Sequence, residues 1–247
     1  MSLTPEDLKD RFRREVDDIN GGSQGEDYLW SDDDVFGYME VAQRKFVRRT
    51  HFLRKGSPAV DITDLTTLAF TASGASGFLP ISTKIIRILN ARMRDTSNSN
   101  SDPLEIMPFE ELNEGFFTRD YGAVFVGNWQ DKIGNARILA PNFTENFVRI
   151  VPIPAQDDTV ELIVEHLPLN TVTCDSATLD VTELEDQLII MDYMRSLAFL
   201  KQDADTYDPE LSAKFGRLFD SAADERRREI KRTRFRARST RYGGIPF

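Results

Sequence analysis

Residues capable of acid–base, nucleophilic or metal chemistry are scattered along this chain rather than grouped. His51 and His166 are its two histidines, and they lie in different segments without the spacing that a zinc site or a histidine-based triad uses. Asp32-Asp33-Asp34 offers three carboxylates, but successive helical residues point in different directions, and acids at a helix start answer the macrodipole. Asp203, Asp205 and Asp208 match half of a calcium loop. The turn glycine is missing and Lys214 stands where a bidentate glutamate belongs, so Asp208 reads as a helix cap. Gly21, Gly22 and Gly25 lack the Gly-Lys-Ser/Thr of a phosphate loop, and Glu110 and Glu111 read as the solvated side of one helical turn. No nucleophile and base can be named and no cofactor or metal is implied; the expectation is a protein that is not an enzyme.

One segment resists a bland reading. From Arg226 to Arg241 there are nine Lys or Arg against the single acid Glu229, a net of +8, so the remainder of a chain of formal charge −10 carries −18. Solvated helix faces mix their signs, whereas a run of like charge repels itself unless an anionic partner is present. Nucleic acid and an acidic protein groove are the candidates beside a plain disordered tail. Phe235, Tyr242 and Phe247 interleave with Arg232, Arg234, Arg236, Arg238 and Arg241. Aromatic anchors with arginine are what protein interfaces use, so docking on a protein is favoured over phosphate binding alone.

The elements that must position this arm follow from periodicity and caps. Thr4 and Ser31 cap helices near 4–18 and 31–50, each with acids in its first turn. Helices return near 183–204, apolar around much of its circumference, and 208–232, with a stripe of Leu211, Phe215, Leu218 and Ala222. Between them lie strand candidates at 66–71, 85–93, 104–107, 137–140, 147–153 and 159–167, with a polar hairpin tip at 95–103. The last two strands, joined by Pro154-Ala155-Gln156-Asp157-Asp158, read as an antiparallel hairpin because the connection is too short for a crossover. The stretch 116–135 mixes aromatics with glycines and suits a segment that orders against a neighbouring subunit.

The resulting expectation is an α+β fold in which terminal helices form a bundle around an inserted antiparallel β-rich region, with an extended C-terminal arm. Its parts are 1–58 and 171–232 for the bundle, 59–170 for the insertion and 233–247 for the arm. The apolar stretch 188–200 is broken by Asp192 and Arg195, the first residues lack a secretory pattern, and Cys174 is the lone cysteine. These features predict assembly in the cytoplasm, with no membrane span and no intrachain disulfide.

Several stretches in order resemble the head-to-tail adaptor (connector) proteins of tailed, especially short-tailed, bacteriophages. They are Tyr28-Leu29-Trp30-Ser31-Asp32-Asp33-Asp34 with Tyr38 and Ala42-Gln43, then 81–94 with Leu104-Glu105-Ile106-Met107, then 197–204 with Tyr207-Asp208, and the close on Arg241-Tyr242-Gly243-Gly244. The resemblance spans roughly 25–244. It implies a structural virion protein at the head–tail junction: a homo-oligomeric ring, commonly of twelve subunits, joining the portal to the tail nozzle or another tail protein around the exit channel of the double-stranded genome. It also implies that the C-terminal arms dock on portal subunits. The alternative is a DNA-binding protein that uses the basic helix and arm.

Overall fold

The computed structural model describes residues 2–18, 29–56, 65–71, 77–94, 101–113, 133–173, 178–201 and 207–239. Two compact units result, Met1–Leu53 with Leu167–Phe247, and Arg54–His166.

The first unit is helical. Helices α1 (Pro5–Glu15) and α2 (Asp32–Thr50) both start on capping boxes, in which Thr4 and Ser31 accept from the amides of Asp7 and Asp34 while those aspartates accept in return. Helices α4 (Leu184–Ala198) and α5 (Pro209–Ser239) follow later in the chain. Trp30 is fully buried, edge-on to Phe12 and Phe199, with its indole N–H donating to the Ala198 carbonyl at 3.3 Å. The N-terminal segment is tied to α4 by Gln187, whose side-chain amide accepts from the Leu3 amide and donates to the Leu3 and Val181 carbonyls.

Helix α5 buries a different stripe from the expected one. Ser212, Phe219 and Ala223 are buried, and Leu218 is 47% exposed. Phe219 packs on Tyr193 with centroids 4.9 Å apart, and the hydroxyls of Ser196 and Ser212 each donate to the other's backbone carbonyl. That close serine approach fixes the rotation of α5, and one residue of rotation is about 100°.

The second unit holds β1 (Arg54–Gly56), β2 (Thr67–Phe70), β3 (Phe78–Pro80), β4 (Ile85–Arg94), β5 (Ser101–Ile106), the short α3 (Phe109–Asn113), β6 (Ile138–Thr144), β7 (Phe147–Val151) and β8 (Asp158–His166). Here the expected fold class is overturned. The strands do not form an antiparallel insertion within a helical bundle; they join in one mixed eight-stranded sheet that curls into a half-barrel. The order is β1-β8-β4-β5-β6-β7-β3, with β2 also on β8. β5 and β6 pair in parallel through Glu105↔Ile138 and Ile106↔Leu139, which the long connection between them permits.

The expected 147–153/159–167 hairpin does not form either, although both strands exist. β7 gives its two edges to β6 and β3, and β8 gives one edge to β4 and the other to β1 and β2 in succession. A strand has only two edges, so no position remains for β7 beside β8. One face of the sheet builds the main core from Leu68, Ile88, Leu139, Ile150, Leu162 and Val164 with their neighbours, while α3 covers a smaller cluster of Met107, Leu112, Ile138, Ala140 and Val151. Gly77 at φ +74° backs onto this layer; an added Cβ would meet the Ile150 carbonyl oxygen at 3.1 Å, so only glycine suits both the angle and the space. The 95–103 hairpin tip is shorter than expected, since Ser101 to Pro103 already belong to β5, and 95–100 and most of 116–135 lie outside the described residues.

The rotated stripe on α5 separates two adjacent positions. Phe219→Ala should lower unfolding free energy by about 3–5 kcal/mol, whereas Leu218→Ala should stay within about 0.5 kcal/mol, as read from urea midpoints.

Candidate functional site

Among the described residues, the sequence candidates for chemistry resolve into structural roles. Asp32 accepts from Lys9 and Arg13, and Asp34 closes its capping box and pairs with Lys201. Asp208 caps α5 by accepting from the amides of Glu210 and Leu211, both at 2.9 Å. Glu110 and Glu111 occupy the first turn of α3. His51 is the left-handed C-cap of α2 at φ 54°, and His166 is buried at the end of β8 opposite Ile85. Asp203 and Asp205 lie outside the described residues. No cluster of three or more His, Cys, Asp or Glu suited to a metal ion occurs among the described residues, nor is any of their helices long and apolar enough to cross a membrane.

The basic end of α5 is where the geometry concentrates. At about 1.5 Å per residue this 31-residue helix is about 46 Å long, yet Ala223 is its last buried residue among those described. Two arginine clamps hold the point where it leaves the core. Arg49 of α2 forks onto Asp224 at 2.8 and 2.9 Å and reaches Asp220 at 2.5 Å. Hydrogen bonding to Arg49 holds the Asp224 carboxyl below the usual carboxylate range and raises Arg49 in return.

Arg226 makes the second clamp. Its Nε lies 2.8 Å from Asp186 Oδ1, its terminal nitrogens meet Glu183 and Glu229, and its guanidinium sits 5.7 Å from the Phe52 ring centroid. Asp186 has no exposed surface; burial pushes its carboxyl up, and Arg226 pulls against that shift. Burial works against the charge of Arg226 too, but the hydrogen bond and field of Asp186 outweigh it and raise the guanidinium.

Past the clamps Arg228, Lys231, Arg232 and Thr233 are exposed, and Ile230 is half-buried. A cleft of about 600 Å³ opens beside them, with Phe52 and Ile230 as apolar floor and Glu183, Arg226, Glu229 and Arg232 as charged rim. Of the expected docking residues, Arg232 lies at this lip. Arg234, Phe235, Arg236 and Arg238 follow on the helical backbone, which runs to Ser239, so an extended arm from residue 233 is corrected to a continuing helix. Arg241, Tyr242 and Phe247 lie outside the described residues. Sequence reasoning counted Arg226 among the arm's charges, yet it is the tether. The i,i+4 pair Asp220/Asp224 and the i,i+3 pair Glu183/Asp186 were the available signals of helix-spanning clamps. Comparison of the chain with protein-family models and with curated proteins finds no match.

A carboxyl held low in the fold contributes stability that is full above its unfolded value and lost as pH falls through the folded one. Arg49→Gln should therefore destabilise at pH 7, with a deficit against the unaltered chain that shrinks towards pH 3 as Asp224 is protonated. Urea unfolding at the two pH values measures it; an undiminished deficit at pH 3 refutes the clamp.

Proposed function

We propose that the chain is a structural head-to-tail adaptor that forms a homo-oligomeric ring between the portal and the tail nozzle or another tail protein, around the exit channel of the double-stranded genome in the virion. The basic end of α5 and the residues after it are its portal-docking element. One observation carries this reading: α5 remains helical for the 16 residues after Ala223, with exposed Arg228, Lys231 and Arg232 beyond two clamps that fix its exit. A helix charged beyond its own core repels itself unless a partner supplies the opposite charge, and a clamped root lets that partner meet a preformed rod. The cleft beside the rod, apolar below and charged at the rim, has the makeup of a protein interface rather than of a phosphate track. The order of motifs that resembles phage connector proteins is what suggests the portal as that partner.

Among the described residues the buried stripe of α5 ends at Ala223, ten residues before the cut that deletes 233–247. The shortened chain should keep its circular dichroism and urea midpoint yet fail to join portal rings in electron micrographs of the mixture. Normal joining by the shortened chain would overturn the docking assignment. If its chief loss is instead a steeply salt-dependent affinity for duplex DNA, the DNA-binding alternative takes its place.

A further inference from the structure

The outer face of the half-barrel, opposite the main core, carries a second basic feature that is independent of α5 and of the adaptor reading. Strand alternation puts Glu161 and Glu165 of β8 on this face, between Val160, Leu162 and Val164 on the other. Their register partners are arginines: Arg54 of β1 and Arg87 of β4 lie opposite Glu165, Arg92 lies opposite Glu161, and Arg94 follows two residues on. Glu161 and Glu165 are 5% and 3% exposed. Arg92 Nε donates to Glu161 at 2.5 Å and Arg94 at 3.1 Å, and Arg54 donates to Glu165 at 2.9 and 3.1 Å.

Buried ion pairs are poor sources of stability, and an apolar pair of similar volume often does as well or better. What this arrangement supplies is position. The two carboxylates stand behind the guanidiniums, which keep 38%, 41% and 51% side-chain exposure at Arg54, Arg92 and Arg94. Arg92 and Arg94 are about 6.7 Å apart along β4, and Arg54 and Arg87 are about 9.5 Å apart across β8. The unit has ten Lys or Arg against fifteen acids, so these four arginines against two shielded glutamates form a local reversal of sign.

The rest of the face identifies the kind of partner. Thr67, Ala69 and Thr159 occupy the neighbouring register positions, and the partly buried Ile163 is the sole large apolar residue between the two glutamates. A protein interface needs an apolar or aromatic anchor at its centre, and a single-strand platform needs aromatics for base stacking. These positions hold no aromatic, and Ile163 stands alone there, without the apolar cluster that an anchor needs. Arginine, threonine and asparagine such as the exposed Asn90 are the donors that contact phosphates. We infer that this face, centred on Arg54, Arg87, Arg92 and Arg94, is a contact surface for the phosphate backbone of duplex nucleic acid. Its reach along β8, about 20 Å, allows three or four phosphate contacts. Glu105, exposed on β5, and Glu110 and Glu111 of α3 bound it on the far side. So few contacts give weak, salt-labile attachment, as a surface along which a duplex slides requires.

The test uses the full chain with its C-terminal bases silenced by R228Q/K231Q/R232Q/R234Q/R236Q/R238Q/R241Q, a labelled 20-base-pair duplex, and anisotropy from 50 to 200 mM salt. This background should bind with a log–log salt slope of about −3. Adding R87Q/R94Q, which leaves Arg92 on Glu161 and Arg54 on Glu165, should weaken binding about tenfold at 50 mM and bring the slope to about −1. R87K/R94K, which keeps the charge, should retain the slope. Absence of duplex binding by the background, unchanged affinity in R87Q/R94Q, or equal losses in the Gln and Lys variants would overturn the inference. Displacement of the duplex by poly-glutamate at equal charge would reassign the face to an acidic protein.

Discussion

A charge taken out of water must bring its counter-charge with it, and that requirement organises both units. In the helical unit Asp186, without exposed surface, is bound to Arg226, and buried Arg13 is held by Asp18, by Asp32 and by the Trp30 carbonyl. In the β unit Glu161 and Glu165 recruit arginines from the strands on either side. Apart from Arg13 with Asp18, five residues apart, these pairings join residues distant in sequence and so bear on which surfaces meet. Apolar burial drives the collapse, and a register that left any of these charges buried without its partner would carry a heavy penalty.

The consequence for α5 is a division of labour within a single run of bases. Arg226 is spent on Asp186 and Glu183, whereas Arg228, Lys231 and Arg232 face solvent. Charge counted along a sequence treats these residues alike. Only the helical turn, which sets Arg226 beside Asp186 of α4 and leaves Arg228, Lys231 and Arg232 exposed, separates tether from probe.

Local chemistry was legible and long-range pairing was not. Thr4 with Asp7 and Ser31 with Asp34 announce helix starts through a capping box whose partners lie three residues apart, and Pro209 after Asp208 does the same for α5. Strand positions followed from alternation and β-branched residues. Their partners did not, because a strand such as Phe147–Val151 suits several neighbours, and the winning arrangement depends on β1 and β2 arriving at β8 from about a hundred residues away. The stripe on α5 was misplaced by one residue because Ser212, polar in the sequence, is buried through its exchange with Ser196. The arginines on the sheet are illegible for a related reason: Arg54 of β1 joins Arg87, Arg92 and Arg94 of β4 only once β8 lies between the two strands.

The helical unit is assembled from the two ends of the chain, with the whole β unit interposed between Leu53 and Leu167. During synthesis, α1 and α2 leave the ribosome long before α4 and α5 exist to cover Trp30, Phe46 and Met39. The β unit is also delayed, since the central strand β8 is the last of its strands to be made. Neither core can close early, and the closing loops span more than a hundred residues, so folding is slow relative to a chain of local contacts. Apolar helix faces and unpaired strand edges therefore stay uncovered for much of translation, and such surfaces are the ones from which aggregation starts.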